Sequence, residues 1–226
     1  MTIDSYGLML PEGWTAVPLD EAGLRTHLEE VVAPLREEDG WTKAMERRVE
    51  LLMRTLVHEL RSQRVSFAAG VTHLIVEPGT DEVDGRLMTA SCTISTTTAG
   101  DLGSPIDITP DVLIRLFSAQ RDREDGTRIT DLEPPCVHPL SVGDSVRLRR
   151  LVEGAGAAVG DDDAVFIETY LVPHASDGRL IVCQYSTPVV EESPLFSRLF
   201  EAMQSTFRVF EEGEPTVFEP VEAGSG

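Results

Sequence analysis

The chain has 226 residues, room for one large domain or two small ones, and its 41% hydrophobic and 26% charged residues are the make-up of a soluble globular protein. Thirty-nine acidic residues against 19 basic ones give a net charge of −20, a field that repels nucleic acid and anionic membrane within about a Debye length. No run approaches the ~18 apolar residues of a membrane span, and the opening MTIDSYGLMLPEGW has an acid but no basic region, so neither a secretory signal nor a location outside the cytoplasm is expected.

In chain order, LPEGWTAVPL reads as a turn and a short strand, punctuated by Pro11 and Gly13. A helix is predicted from Asp20, a good N-cap with acids in the first turn. Leu24, Leu28, Val31, Val32 and Leu35 form its stripe, and Pro34 ends or kinks it. A second helix is predicted over 42–63, capped by Thr42. Met45, Val49, Leu52, Met53, Leu56 and Leu60 form its apolar face, and interspersed acids and arginines form a solvated outer face. VSFAAGVTHLIVEP reads as a strand bulged at Gly70. RLMTASCTISTTT reads as the next strand, with Leu87, Thr89, Ser91 and Thr93 alternating against Met88, Ala90, Cys92 and Ile94.

ITPDVLIRLFSAQ predicts a helix with Thr109 as N-cap and Pro110 at its first position. An irregular span follows, holding a weak strand over 127–131. SVRLRRLVE, DDDAVFIETYLVP and GRLIVCQYSTPVV are three strands rich in β-branched and aromatic residues. PLFSRLFEAMQSTFRVF then places Leu195, Phe196, Leu199, Phe200, Met203, Phe207 and Phe210 on one helical stripe.

Strands in adjacent groups joined by short turns predict antiparallel pairing. The helix pair and the last helix each need a face of the sheet. The reading is an α+β fold: a single-domain α/β sandwich, mainly antiparallel sheet with helices on its faces. It spans 1–210, followed by an acidic, flexible tail over 211–226.

No catalytic motif lies on this frame, and no catalytic, cofactor-binding or metal site is predicted. Cys92 and Cys183 sit in strand-like runs as small buried hydrophobes. Cys136, in the proline-rich loop PPCVHP, is the one cysteine placed to react, though no neighbour in sequence lowers its pKa. Cys136 and His138 lack a matching second pair for zinc, and His58 in VHEL lacks the second histidine of a zincin. His27 is expected to face solvent, His73 lies in a strand, and His138 and His174 in loops. Asp161, Asp162 and Asp163 are adjacent and diverge, unlike calcium ligands. GAGAAVG leads into a strand rather than the helix a phosphate cradle needs. Arg147 and Arg149 share one strand face and Arg150 takes the other; they either bind an acidic partner or pair with acids on neighbouring strands. Trp41 is either an exposed aromatic anchor or a staple beneath the second helix. Trp41, Arg147 and Arg149 are the candidate partner-binding residues.

The opening LPEGW with VPLD, the strand series ending LIVCQYSTP and the closing PLFSRLFEAMQSTFRV resemble a group of actinobacterial proteins with the PsbP-like fold. That resemblance implies an antiparallel sheet sandwiched by helices, no transferable catalytic residues, and a non-enzymatic accessory or adaptor protein that binds another protein. Some such proteins look secretion-associated or lipoprotein-like; this chain lacks the lipobox cysteine. Two rivals stand beside that expectation: a small-ligand or lipid-binding module with a pocket between sheet and helix, and an unrecognised hydrolase. An apolar pocket with a few convergent polar groups separates the first rival from a dry core.

Overall fold

Hydrophobic alternation on both faces makes three strands the centre of the molecule: β7 (Gly143–Glu153), β8 (Ala164–His174) and β9 (Arg179–Thr187). They pair antiparallel, β7 with β8 and β8 with β9. Beyond β9 the sheet continues through β4 (Arg86–Thr98), β3 (Val65–Ile75) and the two-residue β2 (Thr15–Ala16). On the other side β5 (Arg128–Asp131) and β6 (Cys136–Leu140) pair successive halves of β7. Outside this eight-stranded sheet, β1 (Ile3–Gly7) pairs antiparallel with β10 (Arg208–Glu211). The computed structural model describes residues 3–36, 42–75, 86–98, 108–118, 127–153, 164–174 and 178–211.

Among the described residues four α-helices cover the sheet. α1 (Glu21–Leu35) starts where the Asp20 carboxylate accepts the Gly23 amide at 2.8 Å, and it ends one residue after Pro34. α2 (Lys43–Ser62) is capped by the Thr42 hydroxyl, which accepts from the Met45 amide. α3 (Pro110–Ser118) is capped by Thr109, which accepts from the Val112 amide. α4 (Ser193–Ser205) follows a short 3₁₀ turn and carries Pro194 in its first turn, where a missing amide costs nothing.

Period-two alternation sends the sheet's side chains to two faces. On one face Ala90, Cys92, Ile94, Phe166, Tyr170, Val172, Ile181, Cys183 and Tyr185 meet Phe196, Phe200 and Met203 of α4, with Phe207 just beyond it. Phe200 stacks on Tyr185 and Phe166 at 5.1 and 6.3 Å between ring centroids. On the other face α3 seals one end, with Leu113 against Val146, Leu148, Leu171 and Leu180. At the far end of that face the α1–α2 pair builds its own small core from Leu24, Leu28 and Val57. The α+β class, the helix pair opposite the last helix, and the antiparallel sheet all match the sequence reading.

Several local expectations are corrected. The stretch around Cys136 and His138 is strand β6, not loop; Pro139 is tolerated because this strand pairs only β7 and so lies on an edge. The register of β3 slips between Val65 and Phe67 rather than at Gly70. The last helix stops at Ser205, so Phe210 belongs to β10 and Leu195 faces solvent. Strand β10 takes in Glu211, one residue into the expected tail; 212–226 lie outside the described residues. His174 closes β8 instead of lying in a loop. On α2 the buried residue is Val57, while Met45, Leu52 and Leu56 are exposed.

Candidate functional site: an open cleft on one face of the sheet

Among the described residues, the face that carries α3 and the α1–α2 pair is left uncovered between them. Its floor at that point is made of short polar side chains, because β4 puts Thr89, Ser91 and Thr93 on this side and the register sets Ser91 against Ser186 and Thr93 against Gln184. The Ser91 and Ser186 hydroxyls are 2.8 Å apart and hydrogen-bonded to each other. Opposite Thr93 on β3 is Ala68, and opposite Ser91 is Gly70. These two small residues keep the floor low: a Cβ added at Gly70 would stand 3.4 Å from the Ala90 carbonyl oxygen.

The walls are apolar. Val17 follows β2, Val31 comes from α1, and Leu56 and Leu60 come from α2. Together with the floor they enclose a cleft of about 590 Å³. Of its lining residues only His27 and Cys92 are ionisable. The Cys92 side chain belongs to the opposite face, where burial pushes its thiol up to about 12. No carboxylate, lysine or arginine lines the cleft among the described residues. His27, expected to face solvent, sits half-buried in the wall.

The other face holds the arginines singled out in the sequence. Register brings Arg149 opposite Glu168 and Arg147 opposite Tyr170. Glu168 is fully buried and accepts three hydrogen bonds, from Arg149 Nε at 3.1 Å, Tyr170 Oη at 2.5 Å and Ser197 Oγ at 2.6 Å. Glu133, between β5 and β6, pairs with Arg147 at 2.9 Å and Arg149 at 3.5 Å. Glu201 of α4 lies 3.8–3.9 Å from both guanidinium groups. His138 packs edge-on against Tyr170, and burial, followed by the Arg147 charge, holds its pKa below the usual 6.5. Burial and the neighbouring Glu168 charge raise the Tyr170 phenol, so it stays a donor.

This cluster ties β6, β7, β8 and α4 together. Arg147 and Arg149 are therefore largely enclosed and engaged with acids on neighbouring elements. Arg150 takes the opposite face, donating to Asp131 at 2.7 Å and stacking over Phe117. Trp41 lies outside the described residues, as do the aspartate run 161–163 and the glycine-rich 154–160. The sequence reading held a pocket between sheet and helix only as a rival and named none of its lining residues. Its signal was the Thr89, Ser91, Thr93 alternation, a polar strand face in the middle of a sheet.

No helix among the described residues is long and apolar enough to cross a membrane. No known family profile matches the chain. No curated protein matches it either. Among solved structures it is similar to LpqN, described as involved in cell envelope biogenesis of Mycobacterium tuberculosis. The alignment has 10% identity and a TM-score of 0.41, and it covers 92% of this chain and 84% of that one.

Proposed function

We propose that the chain is a non-enzymatic accessory protein, of the PsbP-like kind its terminal motifs suggest, and that it binds a small uncharged amphiphile in the cleft. The observation that carries this is the chemistry of the lining: apolar walls from Val17, Val31, Leu56 and Leu60 over a hydroxyl floor, with no carboxylate, lysine or arginine among the described lining residues and His27 as the one ionisable side chain of the wall. A volume of about 590 Å³ lies in the range of small-molecule sites, which combine apolar surface with a few placed polar groups. A cationic ligand entering it would lose hydration with no carboxylate to replace it, and an anionic one would find only the His27 imidazole. Hydroxyls on the floor donate and accept, which suits a neutral polar group.

The non-enzymatic part of the reading is supported by how the reactive side chains are spent. Ser91 and Ser186 bond to each other, Glu168 is saturated by three donors, and burial raises the Cys92 and Cys183 thiols.

The test is a titration with two single-chain amphiphiles of equal chain length, one with a neutral polyether head and one an alkyl sulfate, both below their micellar concentrations. Saturable binding of the neutral compound, at least tenfold tighter than the sulfate, is expected. Equal affinity, or no saturable binding of the neutral compound, overturns the reading.

A further inference from the structure

The −20 charge of the chain is unevenly spread, and α2 runs against it. This helix carries Lys43, Arg47, Arg48, Arg54 and Arg61 against Glu46, Glu50 and Glu59. Those acids are partly consumed: Glu46 pairs with Arg36, the residue after α1, and Glu50 pairs with Arg54, which also reaches Glu21, while Glu59 stays exposed. Lys43, Arg47 and Arg48 are exposed and form no ion pair with any described residue. Leu51 and Leu52 stand beside them at 65% and 61% exposure, with Met45 at 49%. Helical spacing makes these one surface, since Leu51 follows Arg47 by four residues and Arg48 by three, Leu52 follows Arg48 by four, and Met45 precedes Leu52 by two turns.

We infer that this outer face of α2 docks the protein onto an anionic lipid bilayer, with Arg47, Arg48 and Lys43 at the headgroups and Leu51 and Leu52 dipping below them. Exposed leucines flanked by unpaired cations on an amphipathic helix are the composition of interfacial helices. The exposed side of a single helix is convex, and a bilayer accepts side chains from a convex surface. Charge complementarity is local: at physiological salt the Debye length is about 8 Å, so the lipid meets the α2 cations while the acidic remainder of the molecule is screened or repelled. The same repulsion orients the protein, because other faces are turned away. Leu56 continues the apolar surface from this face into the wall of the cleft. The docking surface does not depend on the cleft reading, and its test makes no use of a cleft ligand.

The experiment is flotation of the full chain with vesicles of phosphatidylcholine alone and of phosphatidylcholine with an equal part of phosphatidylglycerol. Binding to the anionic vesicles only, falling as salt is raised from 50 to 500 mM, is expected. Arg47→Gln with Arg48→Gln should weaken it by roughly 25-fold, about fivefold per arginine. Leu51→Gln with Leu52→Gln should weaken it at unchanged charge. Arg128→Gln with Arg198→Gln, distant exposed arginines, lowers the net charge equally and should bind nearly as wild type. Circular dichroism and melting temperature should stay unchanged in all three pairs. Absence of wild-type binding, equal binding by the α2 variants, or equal loss in the distant pair overturns the inference. So does capture of an acidic protein through Arg47 and Arg48 without vesicle binding.

Discussion

The two faces of the sheet are built to different rules. The α4 face is closed: aromatic rings interlock, Glu168 accepts from Arg149, Tyr170 and Ser197, and Tyr185 donates to Gln204, while Arg147 Nε and Gln204 Nε2 are buried without a hydrogen-bond partner among the described residues. Among the described residues the opposite face is sealed only at its ends, by α3 and by the α1–α2 pair, and its centre is a row of serines and threonines left open. A sheet face needs cover only where it is apolar, so a polar middle between two apolar ends makes a cleft without any strain in the backbone. Stability is concentrated on the closed face. The proposed binding is assigned to the open face.

The sharpest way to break this contrast is to remove its densest point. Phe200→Ala takes out a fully buried ring and should cost about 3–5 kcal/mol, seen as a large fall in melting temperature; an unchanged melting curve would move the core elsewhere. Next is the charge lock. Arg149→Met leaves Glu168 buried without its cation, and losses of about 3–5 kcal/mol accompany such removals. The double variant Arg149→Met with Glu168→Leu should recover much of that, because no orphan charge remains. A double variant no more stable than the single one would show that the network contributes by more than pairing.

A smaller effect is expected from His138. Its pKa is held below the ordinary 6.5, so the folded state binds a proton less readily than the unfolded chain. Its share of stability is therefore complete above pH 6.5 and is lost as the pH falls through and below that value. Arg147, Arg149, Glu168 and Glu201 all act on this ring. The melting temperature of His138→Gln should fall less steeply between pH 7 and 5 than that of the wild type; identical slopes would exclude His138 as the source.

What the sequence made legible follows the same division. The closed face is written in local patterns: β7, β8 and β9 alternate over nine to eleven residues, and Phe196, Phe200 and Met203 repeat at helical spacing. Elements that depend on distant pairing were invisible. The β1–β10 ribbon joins the two ends of the described chain over four or five residues each, too short for periodicity to register. Strand β6 hid behind its prolines. The face of α2 was ambiguous because exposed leucines and core leucines look alike in sequence; only the packing of Val57 against Leu24 and Leu28 shows which side is inward. The cleft needs one fact that no local pattern holds, namely that α1–α2 and α3 cover opposite ends of one face. Likewise, the pairing of Arg149 with Glu168 is a matter of register between strands.

The claim that one face stabilises while the other binds is tested most directly at Ser91, on the floor of the cleft. Ser91→Phe places a ring in open space without touching the aromatic core. The stability of this variant should stay within about 1 kcal/mol of the wild type, while saturable binding of the neutral amphiphile is lost. A folded Ser91→Phe protein that binds the amphiphile as tightly as the wild type would contradict it.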